Sequence, residues 1–141
     1  MCYALTAINI LHAQIILDFE AGNLVNWEEV PANRWEISAT GTITGTGSLH
    51  HAFDNAEGGR DAISTSLYPL RPDSGLTIWR FQVKHGYTPS GSNNWSVFLL
   101  ADASASEMAP GGAINGYVLG VNYSGTDDII KLWEITEGSA N

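Results

Sequence analysis

Cysteine is nearly absent from this chain. Cys2 stands alone, which excludes an intrachain disulfide and any zinc site built on paired thiolates. Positive charge is almost as scarce: six Lys and Arg face fifteen Asp and Glu, a net charge of −9 over 141 residues. A surface that grips phosphates needs clustered cations, so the balance argues against nucleic acid and against anionic membranes as partners. Charged residues of both signs make up only 15% of the chain, well under the usual ~25%. Also missing are an apolar stripe at helical spacing, an internal repeat and a linker. The apolar start, CYALTAINILHAQIIL at 2–17, falls short of the ~20 residues that a membrane span needs.

What is present is alternation. In TIWRFQVK (77–84) Trp79, Phe81 and Val83 share one face, while Arg80, Gln82 and Lys84 share the other. That is the pattern of a strand with one side buried. NWSVFLLAD (94–102) is apolar on both faces, as a covered central strand is. NGYVLGVNY (115–123) and IIKLWEI (129–135) alternate again, and IILDF (15–19), RWEIS (34–38), SLHHAF (48–53) and AISTSL (62–67) are weaker candidates. Between them lie clusters rich in Gly, Pro, Asn, Asp and Ser, among them TGTGS, RPDSG, TPSGSNN and YSGTDD. Those residues close turns or accept positive φ. About eight strands at this spacing predict an all-β, antiparallel, two-sheet sandwich. Hydrophobic residues make up 44%, enough for one domain that buries roughly two-thirds of its unfolded surface.

Two expectations concern the ends. Residues 1–14 read as the back part of a signal peptide, with Ala13 and Gln14 at the cut, although a basic n-region is lacking and Leu11 stands where a small residue is usual. The alternative is an N-terminal extension that leads into the domain, 15–141. After Ile135 only TEGSAN remains, which reads as too short for a further strand. The expectation is a domain truncated at its C-terminus, with open edges.

The first candidate site is LDFEAGNLVNW (17–27). On a strand Asp18 and Glu20 share a face with Phe19 opposite. Two carboxylates so placed can share a calcium ion, which takes six to eight oxygens in flexible geometry. They can also act as a catalytic pair, or simply face water at a polar strand end. These readings stay open on spacing alone.

The DFE…G…W opening, the second tryptophan Trp35 before TGTGSLH, and LTIWRF resemble the MAM branch of the concanavalin A-like jelly rolls. WEIS through GSLHH, and GYVLGVN…DDIIKLWE, resemble laminin-G-like modules of secreted bacterial surface proteins. The likeness runs from about Asp18 to Glu134 and rests on short motifs. It implies a jelly-roll sandwich, a secreted or cell-surface location within a larger multidomain chain, and a glycan or an extracellular protein surface as partner. It also implies a structural Ca2+ held by Asp18 and Glu20, with further ligands from a final strand. The disulfide cysteines of MAM domains are absent.

Glucanases of the same fold carry E-x-D-x-x-E or E-x-D-x-E on one strand, and no such triplet occurs here. Asp127 and Asp128 are adjacent, as in an Asx turn or cap. His50 and His51 are strand neighbours whose rings diverge, and no Ser or Cys stands beside a base to make a nucleophile. Of the five tryptophans, Trp79 reads as core, while Trp27 and Trp35 flank a loop and are able to stack on a sugar ring. The loop DNAEGGRD (54–61) offers Asp54, Asn55 and Asp61 as oxygen donors. The expected function is therefore a non-catalytic carbohydrate-binding or adhesion module. The alternatives are a fragment of a glycoside hydrolase or lyase whose acids lie beyond residue 141, and a structural spacer without a ligand.

Overall fold

The computed structural model describes residues 14–53, 58–71, 75–109 and 111–141. In chain order its strands are β1 (Trp27–Val30), β2 (Trp35–Ser38), β3 (Ser48–His51), β4 (Ala62–Thr65), β5 (Trp95–Ala101), β6 (Gly116–Val121), β7 (Ile130–Thr136) and β8 (Ser139–Ala140). β1 stops at Pro31, β6 at Asn122 and β7 at the Glu137–Gly138 turn. A 3-10 turn spans Ala105–Glu107. All pairings are antiparallel, so the chain is all-β as its sequence predicts.

The first half is a nested arrangement. β1 pairs with β4, and the β2–β3 hairpin lies between them in sequence. Two side chains tie these pairs together. The Glu29 carboxylate on β1 accepts the backbone N–H groups of Arg34 (3.0 Å) and Trp35 (3.2 Å) at the entry to β2. Asp61, just ahead of β4, faces Arg34 (3.6 Å to Nε) and His51 on β3 (2.7 Å to Nε2).

The second half is a four-stranded meander, β5-β6-β7-β8. Its inner face carries the core of Ile114, Val118, Tyr123, Trp133 and Ile135, with Phe98, Ala101, Ala103, Met108 and Ala140 packed against it. Val118 stands opposite Trp133 across the β6–β7 ladder, so the period of two aims both inward. Burying side chains of this size contributes about 1.5–3 kcal/mol each. The Tyr123 ring meets Phe98 edge-on at 5.6 Å and Trp133 at 5.8 Å, the tilted geometry that aromatic quadrupoles favour. Gly120 lets β5 and β6 approach, since a Cβ there would meet the Trp95 carbonyl at 2.3 Å. Burial raises the Tyr123 phenol above its usual range.

Three expectations change. Residues 15–19 form no strand: Phe19 takes φ 60, which interrupts extended backbone, and Ile15, Ile16 and Leu17 are exposed. Residues 77–84 lie in no ladder. They run free of helix, turn and bend, with Trp79 half-buried and Ile78, Phe81 and Val83 exposed. Alternation fixes which side chains share a face, but a strand also needs a neighbour, and the pattern does not supply one. The last residues, in contrast, do form a strand. Glu137 (φ 48) and Gly138 (φ 74) are both left-handed, the requirement of a two-residue hairpin turn, and they return the chain as β8 against β7. Two strands escaped the sequence reading, β1 and β8, and both are short. The expected signal segment, 1–14, lies almost wholly outside the described residues.

Candidate functional site

The DFE segment is a tight loop built by its own polar groups. Asp18 Oδ1 accepts the Glu20 backbone N–H at 3.2 Å, an Asx-type turn across the left-handed Phe19. Gly22, itself at φ 68, donates its N–H to the Phe19 carbonyl at 3.3 Å. Because Phe19 is not extended, Asp18 and Glu20 do not stand on one strand face as the spacing suggests.

Their carboxylates do different work. Glu20 reaches across to the TGTG turn, where its two oxygens accept the Thr46 N–H at 3.0 and 3.1 Å and also the Thr46 hydroxyl. The Thr46 hydroxyl first, and then its N–H, hold the Glu20 carboxyl below its ordinary value. An added Cβ at Gly45, which sits at φ 70, would overlap Glu20 Oε1, so glycine is what admits this contact. Asp18 uses one oxygen on its turn and lines a cleft with the other residues of the loop.

That cleft measures about 190 Å³ and is bounded by Leu17, Asp18, Phe19, Asn23, Asn26 and Trp27. Phe19 and Trp27 form its aromatic wall, with ring centroids 5.6 Å apart and planes tilted by 39°. Trp27 is positioned by β1, whose start is fixed when its N–H bonds the Leu24 carbonyl at 2.9 Å. Asn23 is fixed too: its Oδ1 accepts the Val25 N–H and its Nδ2 donates to the Ala21 carbonyl, both at 3.3 Å. The wall and floor thus present an aromatic plane, a carboxylate and amide edges. A hydroxyl-bearing ring can stack on such a surface and hydrogen-bond to it.

The donor set near Asp18 is small for calcium. Among the described residues no group of three or more His, Cys, Asp or Glu could hold a metal ion. Asp54 and Asn55 lie outside the described residues, and Asp61 is held by Arg34 and His51.

Sequence reasoning missed the cluster around Asp61. The Asp61 side chain is only 5% exposed, and the Arg34 guanidinium and the His51 ring meet it there. The Arg34 guanidinium also lies 3.4 Å over the Phe53 ring, a cation–π contact, and His51 stands edge-on to Trp35 at 5.0 Å. Trp35 and His51 are register partners on β2 and β3, a fact that needs the turn geometry and not the residue pattern. His50 turns the other way to Glu36, 3.1 Å from Nδ1, so the two histidines diverge as expected. The cluster holds the inner hairpin to the strand after it. Its acid is engaged by both Arg34 and His51.

Asp127 and Asp128 separate as well. Asp127 pairs with Lys131, one helical-type spacing away, and this contact holds its carboxyl below the ordinary value. Asp128 and Asn122 bond reciprocally: Asn122 Nδ2 donates to Asp128 Oδ1 at 2.6 Å, and the Asp128 N–H donates to Asn122 Oδ1 at 2.9 Å. Among the described residues, no helix is long and apolar enough to cross a membrane. Comparison of the chain with protein-family models, with curated proteins and with solved structures returned no match.

Proposed function

We propose that this chain is a non-catalytic carbohydrate-binding or adhesion module of a secreted or cell-surface protein, built on a jelly-roll sandwich. The observation that carries the reading is the cleft beside Asp18, where the Phe19–Trp27 pair forms a wall and a carboxylate and amides stand beside it. Sugar rings offer an apolar C–H face to an aromatic plane and hydroxyls to carboxylates and amides, so the chemistry of the cleft fits a saccharide. The sequence offers no acid triplet of the glucanase kind, which favours binding over hydrolysis. The alternation along the strands supports two-layer packing.

A structural calcium ion at Asp18 and Glu20 belongs to the same proposal. It would compete with Thr46 for the oxygens of Glu20, so binding requires those hydrogen bonds to open. Glycan-array binding by the wild-type chain, lost in Trp27→Ala with the fold intact by circular dichroism, supports the module reading. No binding to any glycan refutes it. Melting in calcium and in chelator decides the ion: a ligand held only by the folded state raises Tm, and an unchanged Tm removes the ion.

A further inference from the structure

We propose that residues 76–84 are the missing fifth strand of the meander and add to the open edge of β5. The two edges of that sheet differ. β8 is two residues long and short enough to resist pairing with other chains. β5 is seven residues, WSVFLLA, with no charge and no proline, and among the described residues its only ladder partner is β6. Natural edges are blunted by charge, proline or brevity. β5 has none of these three; its one irregularity is a register shift between Phe98 and Leu100, and its side chains are those of a strand meant to be covered on both sides.

Residues 76–84 have what that edge lacks. They run without turn or bend, and among the described residues they make no backbone–backbone hydrogen bond. Leu76, Ile78, Phe81 and Val83 are exposed there, which leaves both apolar side chains and peptide groups to water. Arg80 and Lys84 give the segment two of the chain's six Lys and Arg. Docked on β5 it becomes the new edge, and those charges then stand where edge protection requires them. The connection is already turned: the Ser90 N–H bonds the Asn93 carbonyl at 2.9 Å, and Ser90 Oγ accepts the N–H groups of Ser92 (3.2 Å) and Asn93 (3.0 Å). A short tether of this kind holds the segment near β5 at about millimolar effective concentration. Its own chain is thus the occupant, ahead of a second copy at micromolar concentration.

Amide exchange by NMR on the full chain tests this. Alternate amides of 77–84 are expected to exchange at least tenfold slower than an unstructured segment, with cross-strand proton contacts to β5. Val83→Pro removes a ladder donor and is expected to lower protection in β5 while leaving β7 unchanged; if that variant fails to fold, the wild-type exchange data still decide. Unprotected amides throughout 77–84 overturn the proposal. So do contacts to β5 that appear only between differently labelled molecules in a mixed sample, because the occupant is then a second copy.

Discussion

Asp128 and Asp127 are neighbours with opposite structural duties, and replacing each in turn separates them. Asn122 is 5% exposed and stands at φ 55, and its amide N–H is held by Asp128 Oδ1. Removing that acceptor leaves a buried donor unpaired, which costs about 1–3 kcal/mol. Asp128 is itself left-handed, at φ 59. Alanine there would add a backbone penalty of about 1–2 kcal/mol and blur the result. Glycine avoids this: relief of the left-handed backbone and the extra chain entropy of glycine, about 0.5–1 kcal/mol, oppose each other. Asp128→Gly therefore reports the lost carboxylate, with an expected loss of about 2 kcal/mol. For a chain of this size each kcal/mol shifts Tm by roughly 2–4 °C, so a fall of about 4–8 °C is expected. Asp128→Asn keeps both an acceptor and tolerance of the left-handed region, and should lose about half as much. Asp127→Ala touches only an exposed ion pair and should leave Tm unchanged. Urea melts of the three variants check the ranking. An Asp128→Gly protein as stable as wild type would refute the idea that the clamp holds the β6–β7 connection.

Three further outcomes are expected. Glu20 is held below its ordinary 4.5 by Thr46, so its contribution is complete above that value and is lost as pH falls through the lowered one. Glu20→Gln should flatten the acid side of the Tm-against-pH curve while the neutral side keeps its slope, as a thermal melt series from pH 3 to 7 would reveal. Asp102 is lowered in the same way by the Asn115 side chain and then its N–H, so Asp102→Asn should act on the same limb. Gly120→Ala places a Cβ against the Trp95 carbonyl and the Ser96 backbone. It should cost about 1–3 kcal/mol through overpacking, or separate β5 from β6 outright, and far-UV dichroism with urea titration distinguishes these.

Strand content was legible wherever alternation coincided with a partner close in sequence. β2 and β3 flank one turn, and β6 and β7 another, so their patterns and their pairing agree. The 77–84 stretch has the same quality of pattern and no ladder, because period two reports faces and says nothing of neighbours. At the DFE segment the spacing of Asp18 and Glu20 misled for a local reason. Phe19 takes left-handed backbone, stabilised by the Asp18 Oδ1 bond to the Glu20 N–H, and a run of apolar residues gives no warning of it. Trp27 was read as flanking a loop, whereas it is half-buried at the start of β1, and its pairing with Phe19 across the cleft depends on the loop folding back. The Asp61 cluster joins residues far apart in the chain and had no spacing signature at all.

The nesting of β2–β3 inside β1–β4 sets an order of assembly. Val30 and Ala62 become partners across a long stretch of chain, and closing so wide a loop is slow when nothing within it is organised. Once the inner hairpin has zipped, only the short connections on either side remain to be closed. Nucleation should therefore begin between Ile37 and Leu49, register partners of that hairpin, and finish at the outer pair. In stopped-flow kinetics, truncating Leu49 should slow refolding, whereas truncating Ile63 should mainly hasten unfolding.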